Sequence, residues 1–78
     1  MLAPTPSEAA SILSHVREAE LAARRLLARA AHLEKRAQRP RADATERDRL
    51  NARARELRSE AQALLAEIAE LSRRVTAA

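Results

Sequence analysis

The chain has 78 residues, enough for one small domain whose single core gives only marginal stability. It contains no Cys, no Gly and no aromatic residue, which excludes disulfide and thiolate chemistry, glycine-dependent phosphate loops and nucleophile elbows. The net charge is +4, with fourteen Arg and one Lys against eleven acidic residues, and Arg favours bidentate contacts with phosphate or carboxylate.

Although 46% of the residues are hydrophobic, twenty of them are Ala. Burying a Leu is worth roughly 1.5–3 kcal/mol and an Ala far less, so the core is expected to be supplemented by self-association or a partner. No apolar run approaches the roughly 18 residues needed to span a bilayer. Met1-Leu2-Ala3-Pro4 lacks the basic region and apolar core of a secretory signal, so a cytoplasmic location is the expectation.

Residues 1–5 read as an N-terminal tail that ends in a capping box, Thr5-Pro6-Ser7-Glu8. Thr5 can cap, Pro6 suits the first helical position, and Glu8 can reach back to Thr5. Nothing breaks the chain from there to Pro40, and the residue before a proline is biased out of the helical region. Helix 1 is therefore expected over residues 6–38, with Lys35, Arg36 and Arg39 at its negative dipole end. A loop over residues 39–43 follows. Asp43-Ala44-Thr45-Glu46 repeats the box spacing and opens helix 2 over residues 44–76, closed by Arg73 and Arg74.

Each helix is then roughly 48 Å long at 1.5 Å per residue, and a connection this short makes the two antiparallel neighbours. Glu20 to Arg24, Asp43 to Arg47 and Glu70 to Arg74 have the spacing of helix-stabilising ion pairs.

Helix 1 carries an apolar ladder, Ala9, Ile12, Val16, Ala19, Ala23, Leu26, Ala30, Leu33, Ala37. Helix 2 carries Leu50, Ala54, Leu57, Ala61, Leu64, Ile68, Leu71, Val75. Steps averaging 3.5 residues are the heptad signature of helices that supercoil around one another. The fold class is all-α: an antiparallel two-helix hairpin with an Ala/Leu seam.

Two registers bring complementary heptad layers together. One sets Leu33 against Arg47 and Ala19 against Ala61, placing a charge and a void in the seam. The other pairs Ala37–Leu50, Leu33–Ala54, Ala30–Leu57, Leu26–Ala61, Ala23–Leu64, Ala19–Ile68, Val16–Leu71 and Ile12–Val75. Large residues then meet small ones, which fills a tight seam without strain, and this is the register expected. Leu26, Leu33, Leu50, Leu57, Leu64, Ile68 and Leu71 hold it together, and residues 43–49 project beyond helix 1.

On one flank Leu27 faces Leu65, with Leu13 further along. On the other, Arg29 can face Glu60, among His15, Arg36, Arg53, Glu67 and Arg74. Two helices cannot bury Leu13, Leu27 and Leu65 alone, so these three are the expected partner interface. A homodimer forming a four-helix bundle is expected there. Leu21 falls on the outer face.

Residues 24–58 hold twelve basic and five acidic residues, whereas the rest of the chain holds three and six. Arg36, Arg39, Arg41, Arg47, Arg49 and Arg53 are thus candidates for anion or nucleic-acid contact at the loop end. No aromatic residue is present to stack on bases, which weighs against that use.

No catalytic, cofactor or metal site is expected. His15 and His32 lie roughly 25 Å apart along one helix and cannot share a metal. The carboxylate pairs Glu18/Glu20 and Glu67/Glu70 lie on helix surfaces without a pocket to shift them. Ser7, Ser11, Ser14, Ser59 and Ser72 lack an activating base. The apolar stripe is too narrow and Ala-rich for a membrane surface.

The reading that follows is a non-enzymatic helical interaction module: a small subunit, adaptor or chaperone-like protein binding its own copy or a partner's amphipathic helix. The alternative is a basic hairpin binding RNA or DNA. In layout that alternative resembles the ROP-type four-helix dimers that bind paired RNA, and the module reading is similar to the needle-subunit chaperones of type III secretion. Both likenesses are of architecture.

Overall fold

The computed structural model describes residues 4–76; the first three residues of the expected tail lie outside it. It is all-α, with helix α1 over Pro6–Ala37 and helix α2 over Ala44–Thr76, packed antiparallel along their length.

Thr5 caps α1 as a reciprocal box. The Glu8 backbone N–H donates to Thr5 Oγ1 at 3.1 Å, and the Thr5 N–H donates to Glu8 Oε2 at 3.4 Å. At α2, Asp43 Oδ1 accepts from the Glu46 N–H at 2.7 Å. The reciprocal bond from the Asp43 N–H to the Glu46 carboxylate is not among those of the described residues. A neutral Thr tolerates a returning Glu, whereas two carboxylates at one cap repel, so the second box forms only by half.

Helix α1 ends one residue earlier than expected, with Gln38 as its C-cap in a right-handed conformation. The Gln38 N–H donates to the Lys35 carbonyl and the Arg39 N–H to that of Arg36, each at 3.2 Å, which tightens the last turn. Pro40 then sits second in a turn closed by the Ala42 N–H on the Arg39 carbonyl at 3.1 Å, where its fixed φ fits. No described residue has positive φ, so the connection reverses the chain without the glycine this sequence lacks.

Two bonds between the helices set the register. Arg58 Nε donates to Glu34 Oε2 at 3.1 Å, and its Nη2 donates to Glu34 Oε1. His15 Nε2 lies 3.0 Å from Glu67 Oε1. Glu34 follows Ala30 by four residues and Arg58 follows Leu57 by one; His15 precedes Val16 by one and Glu67 precedes Leu71 by four. Those are the two flanks of a single antiparallel register, in which Ala30 meets Leu57 and Val16 meets Leu71. Ala30, Ala54 and Leu57 form the buried cluster, with Leu26 and Leu33 packed against it.

In this register α2 starts about 9 Å beyond the end of α1, and α1 starts beyond the end of α2, giving a span of about 55 Å at 1.5 Å per residue. The long dimension is 57 Å. Residues 43–49 are all exposed on the projecting end.

The seam departs from expectation in one respect. Six of the eight buried residues are Ala (Ala19, Ala23, Ala30, Ala37, Ala54, Ala61), joined by Val16 and Leu57. Leu57 is the one large side chain fully buried. Leu26, Leu33, Leu50, Leu64, Ile68 and Leu71 are only half-buried. The small Cβ of Ala sits between the helix axes, where the partner backbone shields it. A longer side chain reaches out of that line, and two helices leave it open on one side.

Candidate functional site

The Glu34–Arg58 bridge marks one flank of the hairpin. One heptad before Glu34 is Leu27, three heptads before it is Leu13, and one heptad after Arg58 is Leu65. All three therefore line the flank that the bridge occupies. Leu13 is 47% exposed and Leu65 39%, while Leu27 is half-buried and so less open than expected. Leu21, 50% exposed, lies apart on the outer face of α1.

The bridge closes this flank toward the loop. Arg58, donating two hydrogen bonds and adding its charge, holds the Glu34 carboxyl below its ordinary value of 4.5, and Glu34 in turn raises Arg58.

The opposite flank carries His15 and Glu67 and is polar. The expected Arg29–Glu60 contact does not form. One heptad on from the His15–Glu67 row, Ala22 stands across from Glu60; two heptads on, Arg29 stands across from Arg53. Arg53 turns away to Glu56, its Nη1 donating to Oε2 at 2.8 Å. Nor do the three expected four-residue ion pairs appear among the described residues. Arg73 rather than Arg74 bonds Glu70, at 2.6 Å, and Asp43 is engaged as the cap of α2. Spacings of three and four residues are equally close on a helix surface, so sequence alone does not choose between them.

The six candidate arginines gather at the loop end without sharing a face. Arg39 and Arg41 lie in the turn and are exposed; Arg47, Arg49 and Arg53 are exposed on the first turns of α2, and Arg36 is half-buried. In this register Arg36 and Arg53 belong to the His15 flank, Arg47 continues the seam line past the end of α1, and Arg49 points outward. Asp43, Glu46 and Asp48 are interspersed among them. An open groove under the projecting end is lined by Glu34, Ala37, Gln38, Arg47 and Asn51.

Among the described residues no group of three or more His, Asp or Glu is placed to hold a metal ion. No helix among them is long and apolar enough to cross a membrane. Neither a family model, nor a curated protein, nor a solved structure matches this chain.

Proposed function

We propose that this chain is a non-catalytic helical interaction module that binds helices by coiled-coil packing. Its first partner is a second copy, and an amphipathic helix of a larger protein would seat on the same face, as in a small subunit, adaptor or chaperone-like protein. The cytoplasm is the setting this reading takes.

The observation that carries the reading is the one-sided flank on which Leu13 and Leu65 stand exposed and Leu27 half-covered. Leucines aligned at heptad spacing beside a half-open seam are what a further helix covers. Light scattering at micromolar concentration tests it. A dimer that Leu65→Glu dissociates supports the reading. A strict monomer in which Leu65→Glu changes neither mass nor thermal melting rejects it.

Nucleic-acid binding through Arg36, Arg39, Arg41, Arg47, Arg49 and Arg53 is the alternative. The exposure of Arg39 and Arg41 favours it. The dispersal of the six around the tip, with Asp43, Glu46 and Asp48 between them, weighs against it, because a phosphate backbone is tracked by a continuous basic face.

A further inference from the structure

We infer that the hairpin has a second register, one heptad away from the first, which Arg47 and the Glu34–Arg58 bridge hold off. The inference concerns the chain's own packing and does not depend on the interaction-module reading.

The packing leaves seam unused at both ends. Residues 44–49 of α2 project past the end of α1, and in the same register residues 6–10 of α1 project past Thr76. The open groove lined by Glu34, Ala37, Gln38, Arg47 and Asn51 is the empty seam beside the first of these projections. Sliding the helices by one heptad, about 10 Å at 1.5 Å per residue, brings both ends flush. A slide of a whole heptad also keeps seam positions facing seam positions. It forms new layers of one large and one small side chain, Ala30–Leu50, Leu26–Ala54, Ala23–Leu57 and, from the projecting turn of α1, Ala9–Leu71. Arg29, which now stands across from Arg53, comes to Glu46. The connection over residues 38–43 suffices for either arrangement, because flush antiparallel helices need only a few residues between them.

Four features oppose the slide. Leu33 would meet Arg47, whose charge enters the seam, and Ala19 would meet Ala61, leaving a void. Glu8 would meet Glu67. The bridge would break, with Glu34 carried to Asn51 and Arg58 to Leu27. In the register observed, Arg47 is exposed and its side chain forms no ion pair among the described residues. It holds nothing together there; its effect is to make the flush register costly. The slide also parts Leu27 from Leu65, which then faces Glu20, so the register decides whether those two leucines stand together.

The absence of Cys lets paired thiols report the register. Ala22 is half-buried, and Arg53, Glu56 and Glu60 are exposed. Ala22→Cys with Glu60→Cys reads the register observed, and Ala22→Cys with Arg53→Cys reads the flush one. Ala22→Cys with Glu56→Cys, which neither register brings together, gives the background from fraying. With no other change, the Glu60 pair should form its disulfide about tenfold or more faster than the Arg53 pair. Arg47→Ala sets a small side chain against Leu33 in the flush register, and should speed the Arg53 pair several-fold while circular dichroism shows unchanged helicity. Glu34→Lys opposes two cations in the register observed and should act in the same direction. Adding Arg58→Glu restores an opposite-charge pair and should return the rate toward its original value. Faster linking of the Arg53 pair in Arg47→Ala, with the Glu56 pair unchanged, supports the second register. An Arg53 pair that stays at background in both Arg47→Ala and Glu34→Lys overturns it, and so does a rise that the Glu56 pair shares.

Discussion

Arg58 and Glu34 are joined side by side across the hairpin, the guanidinium donating through both Nε and Nη2 to the two oxygens of one carboxylate. It is the only bidentate link between the helices among the described residues, and it ties the last turn of α1 to the middle of α2. Fork-to-fork geometry fixes orientation as well as separation, so this one pair opposes sliding of either helix.

The pair makes stability depend on pH. Glu34 is held below its ordinary value of 4.5, so its contribution is present above that value and is lost as pH falls through the lower value in the folded chain. Thermal melts of the wild type and Glu34→Gln should differ at neutral pH, with the wild type more stable. The gap should close as the solution is acidified below 4.5. A gap that is unchanged by acidification would remove the bridge from the account of stability.

Leu57 is the one large side chain fully buried in the seam. Leu57→Ala should therefore cost about 2–5 kcal/mol, enough to unfold so small a domain in large part. Leu21→Ala, on the outer face, should change stability by no more than about 0.5 kcal/mol. Urea titrations followed by helical circular dichroism compare the two. Comparable losses would mean that the seam does not carry the fold.

The buried Ala positions should be as exacting in the other direction. Ala30 and Ala61 have no exposed surface, and each packs in a layer with a Leu. Ala30→Leu should force the helices apart at a cost of about 1–3 kcal/mol. The same substitution at exposed Ala31 should be close to neutral. The difference in denaturation midpoint between these neighbouring variants is the measurement.

Both helix caps should contribute measurably to stability. Asp43→Ala and Thr5→Ala should each lose about 1 kcal/mol, since each removes an acceptor for an otherwise orphaned N–H. Thr5→Ala also releases Glu8 from the reciprocal bond. Asp43→Asn keeps the acceptor without the charge and should restore most of the stability, as seen in melting temperature.

The nucleic-acid alternative gives a salt signature. Each phosphate neutralised lowers log affinity in proportion to log salt. With the arginines scattered round the tip, duplex RNA titrations should show no binding at moderate ionic strength. A steep slope that flattens in an Arg39→Ala, Arg41→Ala double variant would instead establish that reading.

Much of this architecture was legible in the residues. Thr5 with Glu8, Asp43 and Pro40 mark helix ends by local chemistry, and Leu33 against Ala54 or Leu26 against Ala61 select the register by volume. Burial was less legible. Heptad position says which residues face the partner helix, but not that Ala30 would be sealed while Leu33 and Leu50 stay half-open, which depends on side-chain length relative to the helix separation. The Arg29–Glu60 pairing failed for a related reason: flank neighbours are displaced along the seam from the layer they border, and that displacement puts Arg53 opposite Arg29. At the candidate interface, Leu13 and Leu65 could be identified as uncovered from spacing alone. Leu27 was harder to judge, because its partial cover depends on the Leu65 row beside it.

The stagger of the two helices has a dynamic consequence. The first two turns of α2 lie past the end of α1, so their backbone hydrogen bonds are backed by no tertiary packing and rest largely on the Asp43 cap. Amide hydrogens there should exchange with solvent through local fraying, while those around Leu57 should wait for opening of the whole hairpin. Unfolding therefore has a preferred end: the tip unravels first, and the alanine-sealed middle is the last part to let go.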